Sequence, residues 1–463
     1  MEKTEIKFAK YREAVEAACT VKCVGHVFRV QGLLVESVGP QSVVGEICGI
    51  QAQGRELPAE VIGLNGSTVQ LMAYGAVEGI ELGARVTASG SGLSIPCSED
   101  MLGRVLDALG RPVDGRGGFN VSRWNPAIRE APPALSRPVI TERLTTGIRA
   151  VDGLLAVGKG QRIGVFAGSG VGKSTFLGML AASSQADVNV IALIGERGRE
   201  LNDFIVNSLG EEALKRSVIV AATGDKSALE RLKGAYTATA IAEYFRDLGM
   251  NVMLLFDSVT RFARAQREIG LSRGESPAHR GYPPSVFDML PKLLERAGAS
   301  ERGTITAFYT VLVEGDDMDE PVSDNVRATL DAHIVLSRRL AARGHYPAVD
   351  VLQSISRLSD EVSGAQTRKA VRIVKRFMAD YAETEDVINA GAYKQGSNPD
   401  IDAAIAKRPE IEDFLIQGVG DRTALGETLS RLGGIAGIEI PASELASQTA
   451  SSQTAGPANG LTA

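Results

Sequence analysis

The sequence predicts an α/β core that is preceded by an N-terminal β-barrel domain and followed by a C-terminal helical domain, and three patterns support this fold class. Between residues 146 and 357, near-continuous apolar runs alternate with helical patterns, which is typical of a mostly parallel sheet covered on both faces. Residues 21–89 are short alternating segments separated by turn residues, as in a small barrel. After residue 357 the apolar positions recur with helical spacing.

Composition and charge are typical of a soluble globular chain. It has 463 residues, 44% of them hydrophobic, but no run of about eighteen apolar residues that would span a membrane. The first residues lack the apolar core of a signal peptide, so a cytoplasmic location is expected. The formal net charge of -6 argues against a general affinity for nucleic acid. The 4 cysteines have no paired spacing and are expected to be reduced thiols.

At the start of the chain, residues 1–20 are predicted to form an amphipathic helix. Phe8, Tyr11, Val15 and Ala18 recur at helical spacing among charged residues. A helix this short is marginal alone, so it either packs on its own domain or docks a partner. The barrel domain that follows contains no catalytic constellation.

A glycine-rich loop follows one of the apolar runs and opens a helix. Its three glycines allow successive backbone amides to point at phosphate oxygens, and the helix start adds its partial positive charge. Lys173 is expected to reach the β and γ phosphates, and the Ser174 hydroxyl to coordinate Mg²⁺. Ala167 stands where the strict pattern has glycine. The predicted nucleotide-binding residues of the loop are Gly168, Ser169, Gly170, Val171, Gly172, Lys173, Ser174 and Thr175.

Two carboxylates are candidates for the hydrolytic chemistry, because each lies at or near the end of an apolar run. Asp257 ends the run 252–256 and is the expected acid facing Mg²⁺, although an aspartate at this position is also a common helix N-cap. Glu196 lies just after the run 188–194 and is the candidate base that polarises water against the γ phosphate. The alternative for Glu196 is a solvated charge in a loop.

Two segments differ in composition from the domains around them. Residues 102–149 are rich in proline and glycine and mark a connection into the α/β domain. Residues 441–463 are mostly serine, threonine, alanine, glutamine and glycine without periodicity, and are expected to be disordered.

Three motifs together resemble those of the catalytic-type subunit in the rotary ATP synthase superfamily. They are the loop 167–174, the segment 195–200 and the segment 347–357, which fits the signature Pro-x-x-Asp-x-x-x-Ser-x-Ser. Within that superfamily, the chain resembles the type III protein export ATPases, above all the flagellum-specific one. The segments that carry this finer resemblance are 166–173, 257–263, 266–270, 281–287 and 313–317.

The resemblance implies a RecA-like P-loop core, ATP and Mg²⁺ as cofactors, and a homohexamer with nucleotide sites between subunits. The implied domains are the N-terminal helix 1–20, the β-barrel 21–95, the RecA-like ATPase domain 96–358, the helical C-terminal domain 359–440 and the tail 441–463.

The resemblance also implies roles for the acidic residues of the site. Glu196 resembles the catalytic carboxylate, and Asp257 resembles the Walker B acid that organises the metal. Glu200 resembles a second carboxylate near the metal-bound waters.

Basic and aromatic residues complete the implied site. Arg197 falls where the family has an arginine close to the γ phosphate, and it is a catalytic candidate together with Lys173. Arg357 resembles the arginine finger that the adjacent subunit supplies to stabilise charge in the transition state. Tyr346 matches the adenine-stacking aromatic, whereas the second adenine contact, expected near 414–418, stays open.

By resemblance, the chain is an ATP hydrolase of type III secretion, with flagellar export as the first hypothesis. The implied partners are a stator-like regulatory protein at the N-terminal helix, a central stalk protein, export substrates with their chaperones, and a membrane export gate, but no nucleic acid. The implied location is cytoplasmic, at the periphery of the inner-membrane export apparatus. The alternatives are an injectisome ATPase, a subunit of the rotary ATP synthase type and an RNA translocase.

Overall fold

The structure is a computed structural model that describes residues 23–446, except 314 and 316. The predicted N-terminal helix and residues 447–463 lie outside the described residues. The chain divides into two compact units between Leu93 and Ser94.

The first unit is a closed barrel of six strands in the order β1-β2-β5-β4-β3-β6. Alternate residues of β3 point into the barrel, where Cys48 and Ile50 have no exposed surface. Neighbouring strands are antiparallel throughout, and the predicted β-barrel is therefore confirmed. The strands are β1 (Val24–Gln31), β2 (Leu34–Val38), β3 (Glu46–Ala52), β4 (Arg55–Asn65), β5 (Thr68–Ala73) and β6 (Arg85–Gly92).

The second unit is built around a mostly parallel nine-stranded sheet, with the order β19-β18-β12-β17-β15-β13-β14-β8 and β16 paired to β17. Its inner strands are apolar because helices cover both faces, and all seven residues of β13 are buried. The strands are β8 (Val105–Leu106), β12 (Arg162–Ala167), β13 (Val188–Ile194), β14 (Ser217–Ala222), β15 (Asn251–Asp257), β16 (Gly298–Ala299), β17 (Thr304–Leu312), β18 (Ala332–Leu336) and β19 (Val349–Ser356).

The segment 102–149 was predicted as a connection, but part of it belongs to this sheet. β8 pairs with β14 in parallel, which places Val105 opposite Ile219 and adds an edge strand that proline and glycine content had obscured. The remaining strands form two-stranded pairs. They are β7 (Ser94–Cys97) with β9 (Arg123–Pro126), and β10 (Arg143–Leu144) with β11 (Val157–Gly158).

Two helices of the nucleotide-binding region begin at side chains that cap free backbone amides. Ser227 and Glu230 form a reciprocal capping box at the start of α5, and the Ser258 hydroxyl caps α6. Within residues 23–446, none of the helices is long and apolar enough to cross a bilayer. The helices are α1 (Arg149–Leu154), α2 (Lys173–Ser183), α3 (Gly198–Asp203), α4 (Gly210–Lys215), α5 (Ala228–Asp247), α6 (Val259–Ser272), α7 (Pro284–Leu294), α8 (Pro321–Thr329) and α9 (Arg338–Ala342).

Four helices follow the sheet, which confirms the predicted helical C-terminal domain. Phe414 and Leu432, both without exposed surface, share one core cluster with Leu154 of α1, so these helices pack onto the start of the α/β region. The helices are α10 (Ala365–Asn389), α11 (Pro399–Leu415), α12 (Leu425–Ala436) and α13 (Ala442–Ala446).

The prediction that disorder begins at residue 441 is wrong at its start, because α13 is helical. Glu444 anchors this short helix to α10, because its carboxylate accepts hydrogen bonds from the backbone amides of Gln366 and Thr367 at 3.0 and 2.9 Å. It thereby caps the start of α10, more than seventy residues earlier in the chain. Local composition carries no sign of such a distant partner.

The sheet brings the candidate residues to one edge. β12, β13, β15 and β17 run parallel, so their carboxyl ends lie together. These ends lead into the glycine-rich loop, Glu196, Asp257 and residue 313, and ligands of open α/β sheets bind at such an edge.

Candidate functional site

The glycine-rich loop has a backbone that only glycine accommodates easily. Gly170 and Gly172 have φ angles of 79° and 86°, in the left-handed region, and Gly172 is the N-cap of α2. A Cβ atom at Gly168 would collide with the guanidinium of Arg338. Ser169 and Ser174 are exposed to solvent at this turn. The loop is therefore a preformed cradle whose amides and hydroxyls are accessible to an anion.

Ala167 departs from the strict loop pattern at no structural cost. It is still the last residue of β12 and pairs with Leu312 on one side and Leu336 on the other. Its φ is not positive, so the position does not need glycine. Val171, by contrast, turns into the core, and Thr175 is half-buried in the first turn of α2.

Three buried charged groups meet beneath the loop. Lys173 Nζ donates to Asp257 Oδ1 at 2.5 Å and lies 3.4 Å from Glu196 Oε1. Thr310 Oγ1 donates to the same Asp257 oxygen at 2.8 Å. Asp257 is 3% exposed and Glu196 is 8% exposed, so neither carboxylate is a solvated loop charge. The structure thus brings together the predicted lysine, metal-organising acid and base.

Burial and neighbouring charge shift the proton equilibria of this group. Burial, followed by the charge of Asp257, raises the pKa of Glu196 to about 7, against weaker opposing effects of Lys173 and Arg261. Burial alone would lower the pKa of Lys173, but the carboxylates of Asp257 and Glu196 outweigh it and the pKa is raised. Lys173 therefore stays charged while Glu196 exchanges its proton near neutral pH.

Glu200 lies within hydrogen-bonding distance of Glu196. A hydrogen bond from Glu196 lowers the pKa of Glu200, so the shared proton stays on Glu196. Arg197 points the other way: its side chain is 80% exposed and donates to Glu200 Oε1 at 3.0 Å. Arg197 therefore contacts the buried group only through Glu200.

Tyr346 borders the loop. A Cβ atom at Gly172 would lie 3.3 Å from Cε1 of its ring, and the Tyr346 side chain is 40% exposed. Phe414, in the stretch where a second base contact was expected, is fully buried and packs against Gly153. Phe414 is thus a core residue, and Ile416, which is 45% exposed, is the large apolar residue available in that stretch.

Arg357 lies at the opposite edge of the sheet from its own loop. β19 is antiparallel to β18, and its first residue, Val349, is level with Ala167 through Leu336. Its last residue, Ser356, lies seven positions further along, which is roughly 23 Å in a strand. The backbone amide of Arg357 donates to Asp331 O at 3.2 Å, and its side chain is exposed.

Comparisons with known proteins agree with this geometry. Models of the ATP synthase alpha/beta family match residues 27–90, its beta-barrel domain, and residues 147–356, its nucleotide-binding domain. The model of the T3SS EscN ATPase C-terminal domain matches residues 363–434. The flagellum-specific ATP synthase of Treponema pallidum (strain Nichols) is 57% identical over 93% of this chain and 97% of that protein. The chain belongs to the type III export ATPases of the ATP synthase alpha/beta family.

Other members of the family come from secretion systems. The type 3 secretion system ATPase of Xanthomonas euvesicatoria is 47% identical over 88% of this export ATPase and 93% of that protein. The assembled ATPase EscN of enteropathogenic E. coli superposes with a TM-score of 0.85 at 42% identity, covering 89% of this chain and 100% of that one. The RecA-like core predicted between the barrel and the helical domain is therefore confirmed.

Sequence reasoning missed a further member of the site in this export ATPase. Arg261 Nη2 donates to Glu196 Oε2 at 3.3 Å, and its Nε lies 3.2 Å from Glu196 Oε1. Gly195 leaves room for it, because a Cβ atom there would lie 2.7 Å from Arg261 Cδ. Its position one helical turn after Asp257 was the available signal, since the first turn of a helix faces the edge where its preceding strand ends.

The family signature shapes the strand that carries Arg357. Ser354 Oγ donates to Asp350 O at 2.5 Å and accepts from the Val335 amide at 2.9 Å, where the β18–β19 register shifts. Ser356 Oγ donates to Ala156 O at 2.7 Å. Ser354 therefore supplies a side-chain partner where the register shifts, and Ser356 ties the end of β19 to the residue before β11.

Proposed function

We propose that this chain hydrolyses ATP for a type III export apparatus, with flagellar protein export as its system. The observation that carries the proposal is the buried group of Lys173, Asp257 and Glu196 beneath the glycine-rich loop. A loop alone supports nucleotide binding, whereas a carboxyl whose pKa lies near 7 next to the phosphate lysine is suited to accept a proton from water.

The residues of this chain divide the work of hydrolysis. The loop amides and Lys173 would bind the β and γ phosphates, whose oxygens compete with the two carboxylates for the lysine. Glu196 would orient the attacking water and take its proton. Arg261 holds the Glu196 carboxylate through both of its oxygens and so limits its rotation.

The oxygen donors at this edge fit Mg²⁺ bound together with phosphates. Ser174 is exposed at the first turn of α2. We propose that its hydroxyl binds Mg²⁺ directly, and that the Asp257 and Glu200 carboxylates lie near the ion and its waters. Residues 23–446 without 314 and 316 contain no group of three or more histidine, cysteine, aspartate or glutamate residues that could hold a metal by themselves. When bound, Mg²⁺ would neutralise charge on the phosphates.

Assembly completes the proposed site. Arg357 is too far from the loop of its own chain, and we propose that it serves the nucleotide of an adjacent subunit in a homohexamer. The solved assembly of EscN, and the structure of EscN with its central stalk EscO, which superposes with a TM-score of 0.84, support a ring with a stalk partner.

The remaining partners follow from the export role. The proposal includes a stator-like regulatory protein at residues 1–20, export substrates with their chaperones, and a membrane export gate. The chain would work in the cytoplasm at the periphery of the inner-membrane export apparatus, without nucleic acid.

Loss of motility tests the choice of system. Cells that lack this chain are expected to be non-motile and without external filaments, and the wild-type chain is expected to restore both, whereas Lys173→Ala is not. Normal motility with a loss of effector secretion would instead assign the chain to an injectisome. The 47% identity to the type 3 secretion system ATPase of Xanthomonas is the observation that favours this alternative. A non-hydrolysing rotary subunit would lack the carboxylate of Glu196.

A further inference from the structure

Arg149, the first residue of α1, is a buried cation whose guanidinium contacts residues 413–416 and Thr423 of the C-terminal domain. It is 9% exposed. Its Nε donates to Phe414 O at 2.7 Å, and its Nη2 donates to Asp413 O at 3.3 Å and to Ile416 O. The guanidinium thus gathers three carbonyls at the end of α11, and none of these partners is a carboxylate.

Burying an unpaired charge is unfavourable, and burial lowers the pKa of Arg149. The C-terminal end of α11 offsets this cost. The last carbonyls of a helix have no hydrogen-bond partners within the helix and carry its partial negative charge. The planar fork of arginine reaches several of them at once. The contact therefore fixes where α11 ends relative to α1.

Gln417 extends this connection to Tyr346. Its side-chain oxygen accepts from the Arg149 amide at 2.9 Å, and its Nε2 donates to Gly147 O and Asp421 O, each at 2.8 Å. Its own backbone amide donates to Tyr346 O at 2.9 Å. The stretch 413–417 is consequently tied to α1 on one side and to Tyr346 on the other.

This connection brings together the backbones of two residues with exposed side chains, Tyr346 and Ile416. Tyr346 borders the loop at Gly172, and Ile416 directly precedes the residue that is bonded to Tyr346. Both are at least 40% exposed, although they lie between well-packed elements. An aromatic face and an aliphatic side chain beside a phosphate cradle suit the base of a nucleotide.

We propose that Arg149 is a positioning residue for the base of the nucleotide. It holds the stretch 413–417 against Tyr346, so that the base packs on Tyr346 and Ile416 while the loop binds the phosphates. This role rests on the proposed ATP hydrolysis. Arg149 itself does not touch the base, but it sets the distance between Tyr346 and Ile416, the two residues that would contact it.

A ligand without a base separates this role from a general one. We expect Arg149→Met to weaken Mg²⁺-ATP binding about tenfold, the size of one lost stacking contact, and to leave the affinity for inorganic tripolyphosphate unchanged. KM for ATP should rise, whereas kcat should stay within about twofold of the wild-type value, because the reacting phosphates keep their contacts. Equilibrium binding of both ligands and steady-state kinetics measure these changes. Gln417→Ala, which keeps Arg149, is expected to shift the ratio of the two affinities in the same direction.

Arg216 offers a matched control. It is part-buried and, like Arg149, binds carbonyls at a helix end, those of Ala181, Ala182, Ser184 and Ala186, but at the far end of α2. We expect Arg216→Met to lower the melting temperature about as much as Arg149→Met without changing the ATP to tripolyphosphate ratio. An unchanged ratio in Arg149→Met and Gln417→Ala, or equal loss of both ligands, would overturn the role of Arg149 alone. Failure of the wild-type chain to bind ATP would overturn the proposed function as well.

Discussion

At the scale of single residues, Glu196 is held by opposing influences. Burial and the Asp257 carboxylate favour its neutral form, whereas Lys173 and Arg261 favour its charged form. The first pair prevails, so its pKa is about 7 instead of the ordinary 4.5. A base with this pKa is charged often enough at neutral pH to act, and it is basic enough to take a proton from water.

Removing this carboxylate should separate binding from turnover. Glu196→Gln keeps the shape and the polar contacts of the side chain but cannot accept a proton, so nucleotide affinity should stay within a few-fold and kcat should fall by about 10² or more. Nucleotide binding and phosphate release by the purified protein measure the two effects. Unimpaired hydrolysis would remove Glu196 from the catalytic role.

The raised pKa of Glu196 also predicts a pH profile. As the pH falls through 7, Glu196 becomes protonated and loses its capacity as a base, so kcat/KM should decrease towards acid with a midpoint near 7. A glutamate with the ordinary pKa of 4.5 would give a flat profile between pH 6 and 8, and that result would contradict the assignment. The measurement is kcat/KM across this range, because this parameter reports the free enzyme.

At the scale of elements, the ends of helices depend on partners from elsewhere. α10 has glycine at its N-cap and no side-chain cap of its own. Glu444 of α13 supplies the missing acceptor for the amides of Gln366 and Thr367, and also accepts from Thr367 Oγ1 at 2.8 Å. The long helix that begins the C-terminal domain is thus secured by the last helix of the described chain.

Loss of this cap should lower stability. Glu444→Ala leaves part-buried amides at the start of α10 without their acceptor, and we expect a loss of about 1–2 kcal/mol in the free energy of unfolding. Urea denaturation measures the loss, and amide exchange at Gln366 and Thr367 should become faster. Glu439→Ala, at an exposed position shortly before α13, is the control and should change neither. Equal stability of both variants would mean that α13 does not support α10.

At the scale of the whole molecule, the fold separates two parts of the proposed chemistry. The loop lies at the carboxyl edge of the parallel strands, and Arg357 lies at the opposite edge because β19 runs antiparallel to its neighbour. One chain cannot bring both to the same phosphate. Only an assembly in which one subunit faces the next could combine them.

Mixed assemblies test this division. Arg357→Ala and Lys173→Ala chains should each be inactive, but their mixture should recover part of the activity, because an intact loop can then meet an intact arginine of its neighbour. The ATPase rate of co-assembled chains is the measurement. A mixture of Lys173→Ala with Glu196→Gln is the control: both defects lie in the same site, so no activity should return. No recovery in the first mixture, despite co-assembly, would count against Arg357 acting between subunits.

The sequence by itself determined the parts of this protein that depend on neighbouring residues. The glycines of the loop, the strand that precedes them and the helix that follows are set within about a dozen positions. Asp257 and Glu196 could be found for a similar reason: each follows an apolar run, and the carboxyl ends of parallel strands meet at one edge. The family motifs supplied roles that spacing alone left open.

Only the tertiary structure decided which distant residues meet. Arg261 reaches Glu196 across 65 positions, and Arg149 reaches Gln417 across 268. In the sequence both arginines are ordinary residues of helical segments, as Glu444 is an ordinary residue of a polar tail. Their partners are chosen by how sheet and helices pack, because a charge or a free helix end is satisfied by whatever group lies within hydrogen-bonding distance, regardless of its distance along the chain.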